Sequence, residues 1–100
     1  MLNVTTEVSG ETIIISLEGL LDSQTTPQLE AVLEENLGKF NSVQFDFANL
    51  EYLTSAGLRA ILVARQEMDD KNGVMTVKNI PEDIMKIFEM TGFADVLEIE

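Results

Sequence analysis

The sequence predicts an α/β protein: a mixed sheet of four to five strands with helices packed against it. Three observations predict it. Short apolar strand patterns alternate with longer stretches whose apolar residues recur at helical spacing. The first two strand patterns are separated only by a turn, so they form an antiparallel hairpin. The later strands are separated by whole helices, which requires parallel pairing with right-handed crossovers. Residues 1–100 are expected to form one domain.

Each element has a local reason. Leu2, Val4, Thr6 and Val8 alternate with polar neighbours, as in a half-buried edge strand. In "SGET", Gly10 suits the first central position of a tight hairpin turn. "TIIISLEG" follows, nearly continuous in β-branched residues, and continuous runs mark strands covered on both faces. "LDSQTTPQ" is turn and helix-start chemistry, with Pro27 in the first turn, where its missing N–H is not needed. Leu29, Val32, Leu33 and Leu37 carry that helix, and Gly38 is its expected stop.

"SVQFDF" is the third strand. From Leu58 a second helix carries Ile61, Leu62, Arg65 and Met68, with small Ala60 and Ala64 beside them; "DDKNG" ends it. "VMTVKNI" is the fourth strand. Pro81 opens a third helix, with Glu82 and Asp83 in the first turn, where the helix dipole favours anions. Ile84, Ile87 and Phe88 form its buried stripe. "TGF" closes it, with Gly92 in the left-handed cap position and Phe93 folding back. "ADVLEIE" is a short last strand or an extended tail.

Composition excludes several classes. Cysteine and histidine are both absent, which removes disulfides, thiol nucleophiles, the usual zinc ligands and the commonest general base. Against 18 acidic residues stand only 6 basic ones, giving a net charge of −12. Such a surface repels nucleic acid and anionic lipid headgroups. The apolar runs "IIISL" and "AILVA" are too short for membrane insertion, and no signal peptide pattern opens the chain. The expectation is a cytoplasmic protein with no cofactor, no metal and no nucleic acid partner.

In open α/β sheets functional sites gather at the carboxyl ends of the strands. Two loops lie there: Gly19 to Thr25 after the second strand and Ala48 to Ser55 after the third. In the second loop, Thr54 and Ser55 can cap the following helix, worth ~1 kcal/mol. A phosphate on one of these hydroxyls would instead meet the exposed N–H groups and the dipole of the helix start. Ala56 and Gly57 are expected to leave the backbone open to a partner. Asp22, on the first loop, reads as a turn or cap aspartate, or as a rim carboxylate for a partner or a nucleotide-bearing kinase. Asp46, inside a strand, would be costly if unpaired and is expected to accept hydrogen bonds from the next loop's backbone. The methionines at 68, 75, 85 and 90 read as core filler or a soft binding face. No Gly-rich phosphate loop occurs and no nucleophile has an evident base, so an enzyme with its own active site is not expected.

Three segments, "IIISLEGLLDSQTTPQLEAVL", "VQFDFANLEYLTSAGLRAIL" and "IMKIFEMTGFADVLEI", together resemble a STAS domain and, within that family, the anti-sigma factor antagonists. The resemblance covers essentially the whole chain. The family's switch segment typically reads Asp-Ser-Ser/Thr/Ala-Gly-Leu, and its first serine, the phosphoacceptor, is matched by Ser55. Ala56, Gly57 and Leu58 follow it, while Thr54 stands where the family usually has Asp. The Gly-x-Leu/Val-Asp segment is matched by Gly19 to Asp22, the Asp/Asn of the third strand by Asp46, and the late Thr/Ser-Gly-Leu/Phe element by Thr91, Gly92 and Phe93.

The resemblance implies a partner switch. Unmodified protein would bind an anti-sigma factor that is also a serine kinase carrying Mg-ATP, which frees a sigma factor. Phosphorylation on Ser55, with Thr54 the second candidate, would release it, and a PP2C-type phosphatase would reset the cycle. The partner-binding set is Asp22, Ser23, Thr54, Ser55, Ala56, Gly57 and Arg59; Asp46 and Gly92 are structural. The alternative is an unphosphorylated STAS interaction module in another signalling or transport assembly. A receiver domain is disfavoured because the chain opens with a hairpin and its last strand holds no lysine. A small enzyme using Asp22 or Asp46 as acid and base is disfavoured for want of a partner group.

Overall fold

The computed structural model describes all of residues 1–100, in which five strands and three α-helices follow the expected order. Strands β1 (Leu2–Ser9) and β2 (Thr12–Leu21) form the antiparallel hairpin across Gly10 and Glu11. Helix α1 (Thr26–Asn36) leads to β3 (Ser42–Leu53), α2 (Ser55–Asp70) to β4 (Val74–Lys78), and α3 (Glu82–Thr91) through a 3₁₀ turn (Phe93–Asp95) to β5 (Glu98–Ile99). The sheet order is β1-β2-β3-β4-β5, and every pair after the hairpin is parallel.

The sheet buries one face. Ile13, Ile15 and Leu17 of β2, Val43, Phe45 and Phe47 of β3, and Met75 and Val77 of β4 join the helices in one cluster of 23 buried apolar residues. Phe47 packs edge-on against Phe88 of α3, with ring centroids 6.3 Å apart. The expectation that β2 is covered on both faces is therefore corrected. Ile14 points to the other face and is only half-buried, its lateral neighbours being Glu7 and Gln44. That face is polar, with Ser16, Gln44, Asp46 and Thr76 upon it. Helical cover over β1 ends early as well: Leu2 is buried, while Thr6 is exposed and Val8 is 60% exposed.

Two boundaries differ from the sequence reading, and both shape the functional rim. Strand β3 runs on to Leu53 rather than ending at Phe47. Ser16 pairs with Asp46 but Glu18 with Asn49, and Gly19 with Leu50 but Leu20 with Tyr52. At each step β3 carries one extra residue, a bulge, which breaks the two-residue alternation that marks a strand in sequence. Helix α2 starts at Ser55 rather than Leu58. Glycine is required at two positions for different reasons. Gly19 sits at φ +103° with the Met1 carbonyl directly over the position a Cβ would take, and Leu20 donates its N–H to that carbonyl at 2.9 Å. Gly92 ends α3 at φ 81°, a left-handed conformation that costs a side chain-bearing residue more.

Candidate functional site

The two rim loops are joined by the backbone. Leu21 and Leu53 are register partners, and the Thr54 N–H donates to the Leu21 carbonyl at 3.0 Å. The ends of β2 and β3 therefore leave the sheet side by side, and Asp22 and Thr54 are the first residues beyond it.

Asp22 organises the first loop. Its Oδ1 accepts from the Gln24 N–H (2.9 Å) and the Thr25 N–H (3.0 Å). Thr25 Oγ1 accepts from the Asp22 N–H at 2.9 Å and donates to the Leu20 carbonyl at 2.8 Å. Thr26 Oγ1 and its N–H both donate to the Asp22 carbonyl. The Thr25 backbone hydrogen bond leads in lowering the Asp22 pKa below the ordinary carboxylate value; desolvation opposes it, and the Gln24 N–H adds to it. Asp22 is thus a fixed, ionised turn aspartate immediately before α1. Ser23 beside it is exposed.

The second loop is a single residue. Thr54, with φ −100° and ψ 174°, is the N-cap of α2, and its carbonyl accepts the first helical bond, from Leu58 N–H at 3.0 Å. The side-chain capping expected of this hydroxyl pair is not formed. Thr54 makes no side-chain cap bond, and its Oγ1 is buried without a partner. Ser55 lies inside the first turn and so cannot be the N-cap. Its residue is exposed, whereas the buried Thr54 hydroxyl is out of reach of a phosphate donor. Of the two hydroxyls, Ser55 is thus the accessible one.

Gly57 also differs from expectation. It faces inward, not toward a partner. A Cβ there would stand 2.6 Å from Leu21 Cγ, 2.7 Å from Leu21 Cδ2 and 2.9 Å from Leu53 Cδ1. Glycine at this position lets the first turn of α2 rest on the ends of β2 and β3. Ala56 is half-buried and Arg59, one turn on from Ser55, is exposed. Ser23, Ala56 and Arg59 share a groove between the starts of α1 and α2. Arg59 forms no ion pair; both ion pairs of the protein use Arg65.

Asp46 and Gly92 stand away from these loops. Asp46, on the polar sheet face, accepts at Oδ1 from the Ala48 N–H (3.0 Å) and from Asn79 Nδ2 (3.1 Å). It thereby holds the first bulge of β3 against the turn after β4. Met68 and Met75 are core residues, while Met90 is 86% exposed. No group of acidic side chains is arranged to hold a metal ion, and no helix is long and apolar enough to cross a membrane. The sequence reading missed the groove between α1 and α2. Its signal is present, as Ala60 and Ala64 one turn apart on a helix whose neighbouring helix carries Glu30 and Glu34.

Fold and rim together define a small α/β domain that offers an exposed serine at a helix start. The chain belongs to the STAS domain family, whose sequence model matches residues 3–100. It is 28% identical over 88 residues to BtrV of Bordetella bronchiseptica, a proposed anti-sigma factor antagonist, covering 87% of this chain and 76% of that one. It is 25% identical over 99 residues to the anti-sigma-B factor antagonist of Staphylococcus epidermidis, covering 98% of this chain and 92% of the relative. Among solved structures, the anti-sigma factor antagonist SpoIIAA in its unphosphorylated form shares the fold with a TM-score of 0.79 at 22% identity, covering 98% of this chain and 87% of that one. The Bacillus cell fate determinant SpoIIAA in its phosphorylated form gives 0.78 at 23% identity, with 98% and 91% covered.

Proposed function

We propose that this protein is an anti-sigma factor antagonist that works by partner switching, with Ser55 as its phosphoacceptor. It is a regulatory binding protein and not an enzyme. Unmodified, it binds an anti-sigma factor serine kinase in the cytoplasm through the rim formed by Asp22, Ser23, Ser55, Ala56 and Arg59, and so frees a sigma factor. The kinase carries the Mg-ATP. Phosphorylation of Ser55 releases the antagonist, and a PP2C-type phosphatase restores it.

The observation that carries this reading is the setting of Ser55. It is the exposed first residue of a helix whose N-cap makes no side-chain bond. The first-turn N–H groups of a helix have no intrahelical partner, and the dipole there favours negative charge. A phosphate carries about −1.5 to −2 charges, which this end of α2 receives well. The same phosphate lies where a partner must touch in order to transfer it. Added to a protein of net charge −12, it disrupts a close contact by desolvation and repulsion. The similarity to named antagonists over nearly the whole chain supports the same reading.

The test is to incubate the protein with its cognate anti-sigma factor kinase and Mg-ATP and to locate the phosphate by mass spectrometry. One phosphate on Ser55, absent from Ser55→Ala, is expected. Stoichiometric phosphate at another residue, retained in Ser55→Ala, would sink the assignment.

A further inference from the structure

The two edges of the sheet are guarded differently. β5 is two residues long and carries carboxylates, Glu98 within it and Glu100 just after it. Short length and charge are the usual protections of an edge strand. β1, at the opposite edge, has neither. It runs for 8 residues with no proline, no lysine and one charged side chain, Glu7, in a chain of net charge −12. It pairs with β2 without a bulge. The Leu20 N–H donates to the Met1 carbonyl at 2.9 Å, and bonded pairs alternate along an antiparallel ladder. The odd-numbered residues of β1 therefore bond to β2. Leu2, Val4, Thr6 and Val8 turn their N–H and C=O groups outward, where no strand borders them.

We infer that this edge pairs, antiparallel, with the β1 edge of a second copy of the chain, joining the two sheets into one. The strand is complementary to itself in a single register. A two-fold axis at Thr5 is the one that pairs all the outward residues, Leu2 with Val8 and Val4 with Thr6. Glu7 then stands opposite Asn3 and not opposite a second glutamate, so no like charges meet across the seam. Asn3 Nδ2 donates to Glu18 Oε1 at 3.1 Å and keeps a second hydrogen for the incoming carboxylate. The same register sets the covered half of each strand beside the bare half of the other. Leu2 is buried and Val4 packs on the core, while Thr6 is exposed and Val8 is 60% exposed. This self-matching is what an isologous dimer contact requires. β1 begins at the rim, where Leu2 pairs with Gly19, and the axis reverses the strand direction. The two rims therefore point away from each other and both Ser55 side chains stay free. The inference goes beyond partner switching and does not depend on it.

The test uses the full chain, which has no cysteine of its own. In the inferred seam the two Thr5 residues form a non-hydrogen-bonded pair with Cα atoms about 4.5 Å apart, within the span of a disulfide. Glu7 lies two residues from the axis, so its two copies stand about 14 Å apart. Under mild oxidation Thr5→Cys is expected to form a disulfide-linked dimer roughly tenfold faster than Glu7→Cys or better. Both positions are exposed. Sedimentation of the parent is expected to show a concentration-dependent dimer. Thr6→Pro removes an outward N–H, a loss that an edge strand tolerates, and is expected to sediment as a monomer. Circular dichroism reports whether Thr6→Pro is folded, and the two cysteine variants decide the matter if it is not. Crosslinking at Glu7 as fast as at Thr5 would overturn the inference. So would a dimer that persists in folded Thr6→Pro, or a parent that stays monomeric up to roughly 1 mM. None of these measurements involves the kinase, so failure here leaves the Ser55 switch standing, and failure of phosphorylation leaves this result untouched.

Discussion

Replacing Gly57 with alanine pits two effects of opposite sign against each other. In an exposed helix interior, alanine is favoured over glycine by ~1 kcal/mol, and less near a helix end. At Gly57 the new methyl would meet Leu21 Cγ at 2.6 Å, Leu21 Cδ2 at 2.7 Å and Leu53 Cδ1 at 2.9 Å. These are about 1 Å inside the ordinary carbon–carbon optimum of ~3.5–4.0 Å. Leu21 Cγ is a branch point rather than a mobile tip, and Leu21 is fully buried, so it cannot swing aside. Relief requires α2 to lift from the strand ends, an overpacking cost of ~1–3 kcal/mol. The clash wins, leaving Gly57→Ala about 1–2 kcal/mol less stable, which for a domain of this size lowers Tm by ~4–8 °C per kcal/mol. Urea unfolding measures it. The decisive control is Gly57→Ala in a Leu21→Ala background, where the two closest contacts are gone and only the Leu53 Cδ1 tip at 2.9 Å must give way, so the cost of the substitution should shrink markedly. A Gly57→Ala protein more stable than the parent, with no coupling to Leu21, would refute the packing argument.

Other outcomes follow from the same geometry. Thr54→Val replaces a buried, unpartnered hydroxyl with a methyl of the same shape and should leave stability unchanged or raise it by up to ~1 kcal/mol; a clear loss in urea unfolding would mean that the hydroxyl has a partner. The Asp22 carboxyl is lowered, so its contribution is fully present above the unfolded-state pKa and is lost as pH falls through the folded-state value. Stability of Asp22→Asn measured against pH should therefore differ from the parent at neutral pH and converge with it on acidification. Gly19→Ala should cost ~1–3 kcal/mol, because φ +103° is strained for alanine and its methyl runs into the Met1 carbonyl.

The strand and helix order, the hairpin at Gly10 and the left-handed end of α3 at Gly92 were legible because each rests on local chemistry: turn residues, caps and apolar spacing. The far half of β3 was not. Its two bulges shift the apolar positions from Phe45 and Phe47 to Leu50 and then Leu53, so the alternation that marks a strand disappears while the pairing with β2 continues. The one-sided cover of β2 was hidden for a related reason. Ile14 looks like a core residue until its neighbours across the sheet, Glu7 and Gln44, are known. At the rim, residue types were readable but directions were not. Gly57 packs inward and the Thr54 hydroxyl is buried, while Ser55, one residue along, stays exposed. A one-residue change at the start of a helix rotates a side chain by about 100°, and that step separates a core contact from a surface site.

The central claim is that a phosphate on Ser55 changes partner affinity. Calorimetric titration of the cognate anti-sigma factor kinase with unmodified protein, and with protein carrying phosphoserine at position 55, tests it directly. The phosphorylated form should bind roughly 150-fold more weakly, the equivalent of ~3 kcal/mol. Equal affinity of the two forms would contradict the account.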